Sequence, residues 1–341
     1  MAADLVLALL IVGLTAYAVL GGADFGAGFW DLTAGGAKGG ARVRGLIKRS
    51  MSPVWEANHV WLIFVLVILW TCFPPAFAAI MDTLYVPLFI AAVGIIFRGG
   101  AFALRGEAAT IGEARALGAI FATSSVLVPF CLGATVGAVA SGQVPSDDAL
   151  GAWTNATSLL AGAMAVVTGA FLAAVFMAGD ARRAGLDDLV RAFRRRALGA
   201  AVVAGALALG GIAIVNADAP ALYDGLTSGA GLACVIVSGL GGLATIGLVR
   251  AGGWSSARFT ASVAVGAVLI GMAVAQRPDF LPGELTLEEA AAGDSTLVVT
   301  LISAAAGLAI LLPSLALLFR LTLTGTLDQE FHPIGDEEGK R

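Results

Sequence analysis

The sequence predicts an all-α integral membrane protein with about nine transmembrane helices. Hydrophobic residues make up 58% of its 341 residues and charged residues only 13%, whereas an ordinary soluble domain is about a quarter charged. Several apolar runs reach the roughly 20 residues that a helix needs to cross a ~30 Å hydrocarbon layer. Because a helix satisfies its own backbone hydrogen bonds in that layer, helices are the expected way to place this apolar surface against lipid.

A single polytopic membrane domain is predicted over residues 1–323, followed by a polar cytoplasmic tail over 324–341. The first run lacks the positive start of a secretory signal and is interpreted as a retained helix. Proline inside a run is tolerated where neighbouring helices satisfy the freed carbonyls. The nine predicted helices lie near residues 4–26, 54–73, 77–104, 116–140, 153–178, 197–216, 226–249, 259–275 and 296–323.

The charges of the connecting loops predict the orientation. The first loop carries five basic residues and the fifth carries six, whereas the second, fourth and sixth carry none and the eighth has only Arg277. Since basic loops stay in the cytoplasm, the odd loops and the C-terminus are placed there and the N-terminus outside. One helix more or fewer would spoil this alternation. The expected location is therefore the cytoplasmic (inner) membrane of a prokaryote, with lipid as the surroundings.

Several other classes of protein are disfavoured by composition. The chain has no basic run that would suggest a nucleic-acid partner. Its three cysteines stand alone, without a CxxC pair, so no metal site is predicted. With only two histidines, His59 and His332, the chain cannot by itself hold several histidine-ligated cofactors. Any redox chemistry would need ligands from another polypeptide.

Ionisable side chains inside a membrane are costly and point to function by default. The predicted spans contain Asp24, Glu56, Asp82 and Arg98, together with His59. The topology places Asp24, Glu56 and Arg98 at one level near the cytoplasmic face, and Asp82 near the opposite face.

Two interpretations of this group stay open. Arg98 can be a structural ion partner that neutralises a carboxylate and holds helices together. Alternatively, the carboxylates and nearby polar groups carry protons inward from the cytoplasm. Glu56 and His59 share one helix face, with Asn58 beside them, which suits a proton relay. For His59, haem ligation is the alternative role, since imidazole commonly holds haem iron.

Four segments in the first 105 residues form a recognisable pattern: YAVLGGADFGAG at 17–28, SPVWEANHVWLIF at 52–64, FPPAFAAI at 73–80 and IIFRGGAFALR at 95–105. Together they resemble subunit II of cytochrome bd-type quinol oxidases. Later stretches are also similar, including Asn155, PDFLPGELTLEEAAAGDSTL and LLPSLAL in the last helix. The similarity spans almost the whole chain.

The resemblance implies two four-helix bundles plus one peripheral helix, paired with a haem-bearing subunit I. That complex oxidises quinol and reduces dioxygen to water, with haems of the b and d types, or variants, in subunit I. The chain itself would be haem-free and not catalytic alone. Its proton path would run through Glu56, with Asp24, Asn58 and His59 nearby. A small single-helix subunit and a structural quinone or lipid stay open.

This sequence departs from the family pattern at three positions. Glu56 replaces the aspartate of many members, and Gly21 stands where some members have a second acidic residue. His59 occupies a position that is often glutamine or glutamate, which leaves room for an atypical variant. Two alternatives stay open beside the proton path: a purely structural partner subunit of a bd-like haem complex, and a proton-coupled membrane transporter.

Overall fold

The computed structural model of the chain describes residues 1–35, 39–51, 55–105, 107 and 110–323. At six helical positions the backbone is described but the side chain is not: Glu56, Ala57, Ile111, Phe319, Thr322 and Leu323. The predicted tail, residues 324–341, also lies outside the described residues.

Helices dominate the described residues, with one small hairpin. The first half of the chain forms α1 (Ala2–Leu32), α2 (Ala41–Met51), α3 (Trp55–Cys72), α4 (Pro74–Thr83), α5 (Tyr85–Leu104), α6 (Ile111–Ala140) and α7 (Gly151–Thr154). The second half forms α8 (Ala156–Arg183), α9 (Asp187–Asp218), α10 (Pro220–Thr227), α11 (Gly229–Ala251), α12 (Trp254–Ala275), β1 (Asp279–Leu281), β2 (Leu285–Thr286), α13 (Leu287–Ala290) and α14 (Asp294–Leu323).

Within the described ranges, eight helices are long and apolar enough to cross a membrane: α1, α5, α6, α8, α9, α11, α12 and α14. A ninth span is possible by length and composition if α3 and α4 count as one bent pair, with 116° between them. The predicted all-α membrane fold is thereby confirmed.

The run predicted as one helix over 77–104 is two helices, α4 and α5, separated at Leu84. Pro74 and Pro75 start α4, where the missing backbone N–H groups cost nothing. Pro87 lies in the first turn of α5 and cannot donate a hydrogen bond to the carbonyl of Thr83, so a continuous helix would be interrupted at this point. Hydropathy alone does not register this break.

The long helices form two four-helix bundles. In the first, α1 packs against α3 and α6, and α5 packs against α6; in the second, α8 packs against α9 and α12, and α11 against α12 and α9. The bundles meet where α1 and α6 contact α8 and where α1 contacts α12. The last helix, α14, lies at the periphery on α1 and α3.

Helix α2 was missed by the hydropathy reading because only one of its faces is apolar. Val43, Leu46, Ile47 and Met51 recur at helical spacing and are buried in the same cluster as Phe193 of α9. The other positions of the helix carry four basic residues, Arg42, Arg44, Lys48 and Arg49, and the small residues Ala41, Gly45 and Ser50. The first loop is therefore a docked amphipathic helix at the end of the bundles.

The opposite end of the molecule is closed by the β1–β2 hairpin and α13. Thr286 and Glu289 form a reciprocal capping box at the start of α13. The Thr286 amide and hydroxyl donate to the Glu289 carboxylate and lower the pKa of Glu289 below its ordinary value. Phe280 stacks on Phe73, and the amide of Ala292 donates to the Cys72 carbonyl, which joins this segment to the end of α3.

Candidate functional site

The first bundle contains a buried ion pair between Arg98 of α5 and Asp24 of α1. Arg98 Nη1 lies 2.9 Å from Asp24 Oδ2, and the two side chains are 3% and 2% exposed. The distance is that of an ion pair, while its angles depart from those of a hydrogen bond. A second guanidinium nitrogen, Nη2, donates to the Asp24 backbone carbonyl at 3.1 Å. These contacts neutralise both charges at membrane depth.

The remaining contacts of Arg98 come from α6 and from two aromatic rings. Arg98 Nε donates to Ser125 Oγ at 2.9 Å, and the Ser125 hydroxyl donates in turn to the carbonyl of Phe121 at 2.7 Å. The guanidinium carbon lies 4.7 Å from the Phe25 ring centroid and 4.9 Å from that of Phe121. Because a desolvated cation is attracted to aromatic faces, these rings stabilise the charge. Arg98 therefore joins α1, α5 and α6.

Glycines let the backbones approach closely around this pair. A Cβ at Gly28 of α1 would lie 2.1 Å from Ser125 Oγ of α6. One at Gly26 would lie 1.9 Å from the carbonyl oxygen of Gly169 on α8. Small residues at helix interfaces allow this contact in membranes. Gly26 therefore fixes the crossing of the two bundles, and Gly28 fixes the approach of α1 to α6.

The residues predicted on the second span lie on α3, beside this centre. Asn58 is buried and its Nδ2 donates to the Leu20 carbonyl of α1 at 3.3 Å. His59 lies among three aromatic rings, with centroids 6.2 Å (Phe25), 6.3 Å (Tyr17) and 6.4 Å (Trp55) away. Glu56 lies in the first turn of α3, and its side chain is outside the described part. Asn58 and His59 thus face α1 near Asp24.

Asp82, the remaining candidate, is exposed at the end of α4 and does not join the group around Arg98. The residues that the sequence reading missed are Ser125, Phe25, Phe121 and Tyr17. Two adjacent serines inside an apolar run, Ser124 and Ser125, were a usable signal for a polar partner on α6. The aromatic partners gave no signal, because phenylalanine in a membrane span is ordinary.

Asp31, Arg44 and Arg105 form a second polar cluster, at the end of the first bundle where α2 is docked. Asp31 of α1 is 4% exposed and pairs with Arg44 of α2 at 2.7 Å and with Arg105 after α5. Arg44 also donates to the Gly35 carbonyl at 2.5 Å. These bonds anchor α2 beneath the bundle.

The fold and the site define a multi-pass helical membrane protein with a charge pair sealed inside its first bundle. The family model for cytochrome bd terminal oxidase subunit II matches residues 2–322. The chain therefore belongs to the cytochrome bd terminal oxidase subunit II family, and it is a multi-pass protein of the bacterial inner membrane. The resemblance noted from the sequence is confirmed.

Two relatives and one solved structure are similar to the chain. A Bacillus subtilis (strain 168) protein provisionally named cytochrome bd menaquinol oxidase subunit II is 26% identical over 190 residues, 53% of each chain. Cytochrome bd ubiquinol oxidase subunit 2 of the same organism is 29% identical over 129 residues, 38% of this chain and 36% of that one. The matched part thus spans about half of the first relative and about a third of the second.

The similar structure is a chain of the bd oxidase from Geobacillus thermodenitrificans. Its TM-score is 0.73 at 23% identity, covering 95% of this chain and 99% of that one. At this identity the likeness shows that the fold is shared.

Proposed function

We propose that this chain is the haem-free subunit II of a bd-type oxidase complex, in which it supports a haem-bearing subunit I. Two quinols, each losing two electrons and two protons, would reduce one dioxygen to two waters with four protons. The observation that carries the proposal is the family match over residues 2–322, on a chain in which the buried Asn58 follows Glu56 by two residues on α3. On this proposal the chain contributes to the oxidation of quinol by dioxygen only as part of the complex.

The part of this chain in the chemistry would be to move protons. Glu56 lies one helical turn before His59 on α3, and Asn58 holds that turn against α1 through the Leu20 carbonyl. The Asp24–Arg98 ion pair, whose two charges neutralise each other, lies next to this turn. A titratable acid beside such a group can take a proton from one side of the membrane and pass it on. We propose that this side is the cytoplasm, with the N-terminus outside.

The surroundings of His59 do not fit a haem bound to this chain. A porphyrin ligand needs a flat, open space beside its nitrogen, whereas the rings of Tyr17, Phe25 and Trp55 pack around the His59 ring. We therefore assign His59 to the proton path and the haems, of the b and d types or variants, to subunit I. A small single-helix subunit and a structural quinone or lipid stay predictions.

The second candidate is a purely structural subunit. It is favoured by the completeness of the contacts around Arg98, which reaches Asp24, Ser125 and two aromatic rings from one guanidinium. In that case the polar residues would hold helices together and move no protons.

The experiment compares Glu56→Gln and Glu56→Asp in the complex purified through a tag on this chain. The matched control is Glu107→Gln, an exposed carboxylate in the loop between α5 and α6. Haem content per complex and oxygen consumption are measured for each. A fully haem-loaded Glu56→Gln complex with slow turnover, restored in part by Glu56→Asp and unaffected in the control, supports the proton path.

Three other results would contradict parts of the proposal. Normal turnover of the Glu56→Gln complex would remove the proton role. Lost haem and poor assembly, with normal turnover of the complex that survives, would favour the structural subunit. Purification of a stable, colourless protein without a haem-bearing partner would favour a proton-coupled transporter.

A further inference from the structure

Several buried polar atoms of the first bundle lack a hydrogen-bond partner among the described residues, and three of these atoms belong to residues that lie close together on α1 and α3. They are the Tyr17 hydroxyl oxygen, Asp24 Oδ1 and His59 Nδ1. The side chains of Tyr17 and Asp24 belong to residues that are 7% and 4% exposed. An unpaired buried polar group costs about 1–3 kcal/mol, so three of them close together call for a common partner.

The three residues lie together at the contact between α1 and α3. Tyr17 and Asp24 are seven residues apart on α1, which puts them on one face two turns from each other. The His59 ring of α3 lies 6.3 Å from the Tyr17 ring and 6.2 Å from that of Phe25, the neighbour of Asp24. Asn58 is bonded to the Leu20 carbonyl, midway between Tyr17 and Asp24.

Gly21 allows the Tyr17 ring to lie along this face. A Cβ at position 21 would be 2.9 Å from Tyr17 Cε2, so the ring rests directly on the Gly21 backbone. From there it makes an edge-to-face contact with Phe25. The ring therefore lies along the turn of α1 between Tyr17 and Phe25, near the His59 ring.

We propose that the Tyr17 hydroxyl, Asp24 Oδ1 and His59 Nδ1 bind an internal water molecule that relays a proton. Buried waters typically make about three hydrogen bonds to groups that lack other partners. The chemistry of the three atoms matches this pattern, because the Tyr17 hydroxyl can donate to the water while the carboxylate oxygen and an unprotonated Nδ1 can each accept from it.

This site deepens the proton path and rests on the proposed function. A proton delivered to the water can move to His59 Nδ1 while the proton on Nε2 leaves from the other side of the ring, so that one proton crosses the imidazole. A change of tautomer that returns the ring proton from Nδ1 to Nε2 restores the first arrangement, and the Asp24–Arg98 ion pair is unchanged throughout. Tyr17 acts as a positioning residue, because its hydroxyl holds the water within reach of His59.

The test uses the whole complex and two readouts. A cryo-EM map that resolves other buried waters is recorded for the wild type and for Tyr17→Phe, which removes only the hydroxyl oxygen. Oxygen consumption is measured for both, with Tyr85→Phe as the control, since Tyr85 is 57% exposed on α5. We expect water density between Tyr17 and His59, its loss in Tyr17→Phe, and turnover about tenfold lower.

Absence of that density in the wild type would overturn the water site. Density together with unchanged turnover of Tyr17→Phe would overturn the relay. If Tyr17→Phe fails to assemble, His59→Phe, which removes the accepting ring nitrogen, provides the same comparison. If the Glu56→Gln complex turns over slowly and the Tyr17→Phe complex turns over normally, this inference is wrong and the proposed function stands. If the Glu56→Gln complex turns over normally, the proposed function is wrong, and the water density still decides whether the water site exists.

Discussion

Arg98 of α5 holds Asp24 of α1 twice, through the carboxylate at 2.9 Å and through the backbone carbonyl at 3.1 Å. The two contacts fix both the charge and the helix of Asp24 to α5. Since neither side chain is more than 3% exposed, the pair is withdrawn from lipid and from bulk water. A charge at this depth needs such a partner, because an unpaired one costs several kcal/mol.

Removing one member of this pair is expected to destabilise the protein more than removing both. Arg98→Met and Asp24→Leu each leave one uncompensated buried charge, at a cost of about 3–5 kcal/mol. The double variant Asp24→Leu/Arg98→Met leaves neither charge and is expected to recover part of the loss. Complex yield and the midpoint of thermal inactivation measure this. A double variant as unstable as the sum of the single ones would contradict it.

The crossing of α1 and α8 is expected to tolerate a methyl group at Gly22 but not at Gly26. At Gly26 the new Cβ would meet the Gly169 carbonyl oxygen at 1.9 Å, whereas at Gly22 the nearest atom, Leu172 Cδ1, is at the ordinary distance of 3.7 Å. Gly26→Ala is therefore expected to abolish assembly, since the clash is with backbone. Gly22→Ala is the matched control. Equal yields of the two variants would refute the close crossing.

Docking of α2 is expected to depend on Asp31 and hardly on Asp188. Asp31 is buried between Arg44 and Arg105, so Asp31→Asn removes two charge-assisted bonds, at a cost of about 1.5–3 kcal/mol each. The Arg42–Asp188 pair is 62% and 44% exposed, and exposed pairs contribute about 0–1 kcal/mol. Faster tryptic cleavage within α2 is expected for Asp31→Asn only. Equal cleavage of Asp188→Asn would contradict this ranking.

The orientation derived from loop charges can be tested by thiol labelling. Asp147 and Glu107 are both exposed and flank opposite ends of α6. Cys72 and Cys131 are buried, and the partly exposed Cys234 is replaced by serine in both variants to remove its background. A membrane-impermeant maleimide applied to spheroplasts is expected to label Asp147→Cys and not Glu107→Cys. The reverse pattern would invert the topology and move the proton path to the outer face.

Much of the site was predictable because charge at membrane depth is rare. Asp24, Glu56 and Arg98 were identified as polar residues in apolar runs, and the structure pairs two of them. The sequence did not predict which carboxylate forms the ion pair with Arg98, since that depends on how α5 faces α1. Ser125, Tyr17 and the rings around Arg98 were missed for the same reason: their roles arise from neighbours that are distant in sequence.

By itself the sequence determined that this chain is a multi-pass helical membrane protein of its family, because hydrophobic length and motif spacing are local properties. Only the tertiary structure decided the docking of α2 and the enclosure of Asp24 and Arg98 between α1, α5 and α6. Docking and ion pairing depend on which side chains meet across helices, and no single stretch of chain encodes that.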